Sequence, residues 1–326
     1  MTGATIRDVA RLASVSVASV SRTLNGAANV HPETRARVLA AVDDLGYVPH
    51  AGARSLSLSR THAIGVVLPD LHSEFFSEMI RGMDREASAR GYHLLLSNIQ
   101  PDTDHALKAL RAMRGRIDGL VLMAPNVDPL ALAAMLPSNM PTVTINTHVE
   151  TKEGRLRVDN RAGATAMIRH LIEQGRRRIV HVAGPAVNSD ARERLEGCSA
   201  ALPAQVELRV THGDFTEQSG ADAINPMLAD NVPFDAVFAA NDMMALGVLH
   251  ALRAAGRRVP ADVAVGGFDD VPLARYLSLT TMRVQMAEMG ARAAAHLIET
   301  LVGEAGTPVD ETIVPALVVR GTSVLE

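Results

Sequence analysis

Two groups of residues in this 326-residue chain could carry chemistry. The first is the stretch VSVASVSRTLNG at positions 15–26. It sets Ser16, Val17, Ala18, Ser19 and Ser21 beside Arg22 and closes on Asn25-Gly26. Small side chains let a backbone approach a base edge or a phosphate, hydroxyls bond either, and an arginine supplies a base or phosphate contact. The second group follows the apolar runs of the body: Phe75-Phe76, Arg192, Phe215 in GDF, Asn241-Asp242, Asp269-Asp270 and Gln285. The chain has six Phe and no Trp, so three Phe at such positions are conspicuous. Aromatic faces stack on sugars or nucleobases. With an Arg, Asp, Asn and Gln, they suit a polyhydroxylated, uncharged ligand. Other roles are open: Phe75-Phe76 as core, Asn241 as a helix cap, and Asp242 and Asp270 as caps or scaffold bonds.

The elements that must position the first group are three short helices. Thr5 is an N-cap with Asp8 three residues on, and Ile6, Val9, Ala10 and Ala13 form one apolar face. Ser14-Val15 breaks the chain, and Ser16 caps a second helix from Val17 that buries Val20 and Leu24. Asn25-Gly26 stops it. His31-Pro32-Glu33 opens a third helix, burying Val38, Leu39, Val42 and Leu45 and ending at Gly46. Two helices joined by a tight turn, with a third behind, are the layout of a helix-turn-helix DNA reader. A three-helix bundle packed on the rest of the chain is the other reading. Charge favours the first. Residues 1–60 hold seven arginines against four acidic residues, a net of +3, which leaves −7 on the remainder of a chain of formal charge −4. A basic head on an acidic body suits a polyanion.

From His62 onward, short apolar runs alternate with helical patterns. AIGVVLP, YHLLLSN, DGLVLMA and PTVTIN form one series; RIVHVAG, VELRVTH, DAVFAAN and DVAVGGF form a second. Such runs predict two lobes, each a doubly wound parallel sheet covered on both faces. Ligands bind such sheets at the carboxyl ends of the strands, where the second group lies.

The sequence also excludes. A single cysteine, Cys198, rules out an intrachain disulfide framework. No apolar run of about 18 residues predicts a membrane span, and MTGATIRDVA does not read as a secretory signal; a cytoplasmic protein is expected. No dinucleotide fingerprint, P-loop, HExxH or GxSxG appears, and the twelve His lack metal-ligand spacing. Adjacent Asp269 and Asp270 point in different directions, which does not suit a glycosidase pair. Neither catalysis, nor a cofactor, nor a metal is expected.

TIRDVARLASVSVASVSRTLNG followed by VHPETRARVLAAVDDLGYVPHAGARSLS resembles, almost continuously over residues 4–60, the head of the lactose/galactose-repressor family. The body resembles the same family, and more remotely the periplasmic sugar-binding proteins, over residues 60–320. The resemblance implies that Val17 and Ala18 read bases and that Ser16, Ser19, Ser21, Arg22 and Asn25 contact phosphates or base edges. Tyr47 would help fix the head, and Thr5 joins this DNA-binding set. Residues 50–57 would form a hinge helix on DNA, with Leu56 as a minor-groove wedge and Ala53 and Arg54 beside it. In the body it implies an effector site of Phe75, Phe76, Asn146, Arg192, Phe215, Asn241, Asp269 and Gln285. Ser14, Ser19 and His50 depart from the family's usual residues, as do Ser73 and Asn146-Thr147.

The expectation is therefore a helix-turn-helix DNA-binding domain (1–48), a hinge helix and linker (49–61), and a two-lobe effector-binding and dimerisation domain (62–326). Its partners would be a pseudopalindromic double-stranded operator, a second copy of the chain, with helix FFSEMIRGMDREA in the interface, and a small-molecule effector. The function implied is repression of carbohydrate genes, released by a sugar. A purine-type co-repressor, or a sugar-binding module without specific DNA binding, are the alternatives.

Overall fold

The structure is a computed structural model that describes residues 4–27, 29–48, 60–71, 73–99, 108, 110–137, 139–304 and 307–324. It divides into two compact units, residues 1–62 with 115–118, and the remainder.

In the first unit lie α1 (Ile6–Leu12), α2 (Val17–Leu24) and α3 (Pro32–Leu45). The Asp8 carboxylate accepts the Thr5 backbone N–H at 3.0 Å and its hydroxyl at 2.6 Å, which holds the entry to α1. Ser14, in the turn, takes φ +50°, a left-handed conformation that a Cβ disfavours. The Ser16 hydroxyl accepts Ser19 N–H at 3.1 Å and so caps α2. Val9, Ala10, Ala13, Val20, Val38 and Ala41 form the core, with Tyr47 packed against it. Leu39, expected inside, is 46% exposed. One helical step turns it about 100° from the inward row of Val38, Ala41, Val42 and Leu45.

The second unit is two six-stranded sheets. The first lobe contains β1 (Ala63–Leu68), β2 (His93–Asn98), β3 (Gly119–Met123), β4 (Thr142–Ile145), β5 (Gly154–Val158) and β11 (Val309–Ile313), with α4 (Glu74–Ala89), α5 (Pro129–Met135) and α11 (Met286–Val302). Its order is β11-β5-β4-β3-β1-β2, parallel throughout. The second lobe contains β6 (Arg178–Ala183), β7 (Glu207–His212), β8 (Ala236–Ala239), β9 (Ala264–Asp269), β10 (Thr280–Arg283) and β12 (Ala316–Val318). Around it lie α6 (Asn160–Glu173), α7 (Ser189–Ala200), α8 (Glu217–Ala229), α9 (Asp242–Ala254) and α10 (Pro272–Tyr276). Its order is β12-β10-β9-β8-β6-β7, with only β12 antiparallel. The chain crosses between lobes after β5, β10 and β11, so the carboxyl ends of both sheets face one cleft. Among the described residues no helix is long and apolar enough to cross a membrane.

Helices α4 and α11 pack with their backbones nearly touching. A Cβ on Gly82 would fall inside the Ala287 carbonyl, and one on Gly290 inside that of Met79. Backbone cannot move aside as a side chain can. Gly82→Val is therefore expected to cost about 3 kcal/mol, read as a lower thermal midpoint. Ala89→Val, on the exposed end of the same helix, should cost only about 0.5 kcal/mol.

Candidate functional site

On the head, Ser16, Val17, Ala18 and Arg22 are exposed along α2, while Ser19, Ser21 and Asn25 are half-buried. The cap at Ser16 opens the first turn of α2 outward, so its narrow end is Val17 and Ala18. Arg22 Nε donates to the Ala18 carbonyl at 3.4 Å, and Asn25 Nδ2 to the Ser21 hydroxyl at 3.4 Å. Thr5 is exposed at the start of α1, and Tyr47 is half-buried. Ala53, Arg54 and Leu56 lie outside the described residues.

In the body, the described residues form a cavity of about 680 Å³ and another of about 670 Å³. The latter is the cleft between the lobes. It brings together Phe75, Phe76, Phe215, Asn241 and Asp269. Each arrives from a strand end. β1 leads to Ser73, whose hydroxyl accepts Phe76 N–H at 3.4 Å, so both rings sit in the first turn of α4. They meet edge to face, with centroids 5.2 Å apart. β7 leads to Phe215, which takes φ +72°. Its ring lies over Gly184 at the end of β6, where a Cβ would overlap it. Asn241 caps α9 through Met244 N–H at 2.9 Å and donates to the Phe215 carbonyl at 3.1 Å, fixing that ring's backbone.

The floor is charged. Arg194 is 5% exposed. Its Nε donates to Asn160 Oδ1 at 2.9 Å, Nη1 donates to the Ala240 carbonyl, and the guanidinium stacks on Phe268 at 3.8 Å. Its Nη2 stops 3.8 Å from Asp269 Oδ1, a buried oxygen without a hydrogen-bond partner. Asp269 itself takes φ +116°. Strained residues held in place around a cleft are a mark of function. Asp190 accepts amide N–H groups from Asn146 at 3.1 Å and Asn160 at 3.2 Å. Burial pushes its pKa up to about 6, against the pull of Arg194. Burial likewise raises the pKa of Asp269, with Arg194 opposing and Asp190 adding to the rise. Among the described residues no cluster of His, Cys, Asp or Glu could hold a metal.

Three of the expected residues lie elsewhere. Arg192 is exposed, and its Nη1 donates to the Ala186 and Val187 carbonyls at 3.2 and 2.9 Å. From the Asn188 cap, the buried row of α7 runs through Asp190, Ala191 and Arg194, so residue 194 faces the cleft and residue 192 faces away. Gln285, at the start of α11, borders the separate 680 Å³ cavity beside Arg283. Asn146 is buried at the end of β4 with φ +45°, bridging Asp190 and Val158 N–H rather than lining the cleft. Asp242 and Asp270 serve the scaffold. Asp242 accepts from the Thr281 hydroxyl at 2.5 Å and Val271 N–H at 2.9 Å, while Asp270 pairs with Arg283 and Arg320. Sequence reasoning missed Arg194 and Asp190. The helical period counted from a cap at Asn188 was the signal that could have found both.

A helix-turn-helix head joined to a two-lobed body with one polar, aromatic cleft defines a ligand-responsive DNA-binding regulator. Family comparison agrees. Residues 5–50 match the model for bacterial regulatory proteins of the lacI family, and residues 168–323 that for a periplasmic binding protein-like domain. The chain is 35% identical over 330 residues to the ribose operon repressor of Escherichia coli K12, covering 98% of this chain and 100% of that one. Among the solved structures similar to it are two that carry a ligand. One is the lac repressor dimer bound to operator and the anti-inducer ONPF (TM-score 0.89, 28% identity, 99% and 100% coverage). The other is the transcriptional regulator CelR-cellobiose complex (TM-score 0.71, 33% identity, 98% and 99% coverage). The protein belongs to the lacI family of transcriptional regulators.

The raised pKa of Asp269 carries a linkage consequence. An acid whose pKa is higher folded than unfolded binds more protons in the folded state, so stability falls as pH rises through that interval. Asp269→Asn removes the buried charge. Its thermal midpoint is expected to exceed wild type at about pH 8 and to converge with it at about pH 5, where Asp269 is protonated. Equal midpoints at both pH values would mean that Asp269 carries no such penalty.

Proposed function

We propose that this chain is a repressor of carbohydrate genes that binds a pseudopalindromic operator as a homodimer in the cytoplasm and is released by a neutral sugar. The observation that carries the ligand class is the 3.8 Å gap between Arg194 Nη2 and Asp269 Oδ1. It is too wide for a direct hydrogen bond. A single sugar hydroxyl fits between them, accepting from the guanidinium and donating to the carboxylate, and so pairs an oxygen that has no partner. Phe75, Phe76 and Phe215 offer apolar faces to the C–H side of a pyranose or furanose ring. The ribose operon repressor, and CelR with its cellobiose, are relatives whose names carry sugars.

The effector set is then Phe75, Phe76, Phe215, Asn241, Asp269, Asp190 and Arg194. Asn146 acts at one remove, holding Asp190. The DNA set is Thr5, Ser16, Val17, Ala18, Ser19, Ser21, Arg22, Asn25 and Tyr47 in the head (1–48), with Ala53, Arg54 and Leu56 in the hinge (49–61). Two heads on a two-fold axis require two half-sites in inverted order. Sugar bound between the lobes of residues 62–326 changes their relative rotation, and with it the spacing of the paired hinges. Operator affinity shifts only by the difference in sugar affinity between the two states.

The first test is a thermal-shift panel of neutral pentoses, hexoses and disaccharides beside purines. A sugar at about 100 times its Kd adds about 2.7 kcal/mol of stability. Asp269→Asn is expected to abolish that shift, whereas Arg192→Ala should retain it. A response to purines alone would replace the sugar with a purine co-repressor. On DNA, Leu56→Ala is expected to weaken operator binding in a gel-shift titration without lowering the body's thermal midpoint. Operator affinity should also fall steeply with salt, as phosphate contacts require. A flat salt dependence would argue against a DNA-reading head.

A further inference from the structure

The 680 Å³ cavity that receives Gln285 is not part of the cleft. Five arginines border it, Arg85, Arg275, Arg283, Arg292 and Arg320, against the carboxylates of Glu78, Asp270 and Glu288. The acids are unevenly spent. Glu78 pairs with Arg81, outside the cavity lining, at 2.9 Å. Glu288 pairs with Arg292 at 3.0 Å, and Glu311 binds the same guanidinium. Asp270 alone serves two arginines, receiving Arg283 Nε at 2.6 Å and Arg320 Nη2 at 2.7 Å. Arg275 bonds only its neighbour's phenol, at 3.1 Å, and stacks on that Tyr276 ring. Among the described residues, neither Arg275 nor Arg85 has a carboxylate partner. Arg283 and Arg320 thus share one carboxylate, while Arg275 beside them and Arg85 on α4 line the cavity without an acid partner among the described residues.

We propose that this cavity is a second small-molecule site, for a phosphate monoester or similar dianion, separate from the sugar cleft. Arginine forks match phosphate oxygens in pairs. A volume of about 680 Å³ lies within the range of small-metabolite sites. Asp270 is the built-in competitor: its single charge holds Arg283 and Arg320 when no dianion is bound, and a dianion takes them over.

The site also reaches the cleft. Asp269 and Asp270 are consecutive non-glycine residues, both at positive φ (+116° and +58°). Their side chains point to opposite sides, Asp269 into the cleft and Asp270 into the arginine cavity. Releasing Asp270 from its two arginines acts on the strained segment that aims Asp269. A phosphorylated metabolite would in this way modulate the response to sugar without entering the cleft.

The test is calorimetric titration of the full chain with inorganic phosphate at constant ionic strength, needing no knowledge of the sugar. Saturable binding is expected. Arg85→Gln combined with Arg275→Gln should weaken it about tenfold, and Asp270→Asn should tighten it several-fold by freeing Arg283 and Arg320. Opposite effects from removing cations and removing an anion separate a built site from general loss of structure. Hydrogen exchange should slow in residues 264–276 when phosphate binds. The proposal is overturned if the wild-type protein shows no saturable binding, or if the affinity is unchanged in both variants, which would mean an adventitious ion only. Should Asp270→Asn fail to fold, the arginine pair alone decides. Unaltered exchange over 264–276 would refute the link to the cleft.

Discussion

The body depends on one buried guanidinium. Arg194 is held by Asn160 from α6, by the Ala240 carbonyl after β8 and by the face of Phe268 in β9. Its remaining edge faces Asp269, with Asp190 on its own helix close enough to feel its charge. A charge taken from water is costly unless it is paired and hydrogen-bonded. The nearest carboxylate oxygen, Asp269 Oδ1, lies 3.8 Å from Arg194 Nη2, within ion-pair range but beyond direct hydrogen-bond distance.

The same floor links the lobes. Asn146, at the end of a first-lobe strand, donates to Asp190 on a second-lobe helix. Beside it, Ser189 N–H donates to the Pro125 carbonyl at 3.0 Å and Asn188 donates to Asn126 at 2.8 Å. Helix α7 thus carries the cleft-facing Arg194 and, at its N-terminal end, touches the opposite lobe.

Part of the backbone strain falls in the same places, although His62, Asn231 and Ser278 also take positive φ elsewhere. Phe215, Asp269, Asp270 and Asn146 all sit at positive φ without being glycine, and all lie at strand ends around the two large cavities or the lobe contact. Ser14 does the same in the turn of the head, where the family's more usual Gly or Asn would be unstrained. Each such residue costs folding energy that the surrounding packing supplies.

What the sequence by itself determined was what repeats locally. Serine and threonine caps, the 3.6-residue rows of the head, and continuous Val/Ile/Leu runs alternating with helices specified three helices and two parallel sheets. Strand ends then pointed to Phe75, Phe76, Phe215, Asn241 and Asp269, because the carboxyl edge of such a sheet is open whatever its neighbours are. Strand β5 and the edge strand β11 escaped notice, since GRLRV and VDETI alternate polar with apolar residues instead of forming a continuous apolar run. Only tertiary structure decided which arginine of ARERLEG turned inward, where Gln285 went, and that Asn146 holds Asp190. Those outcomes depend on the rotation of α7 about its axis and on which sheet each crossing strand joins. Both are set by contacts between segments far apart in the chain, and no local pattern records them.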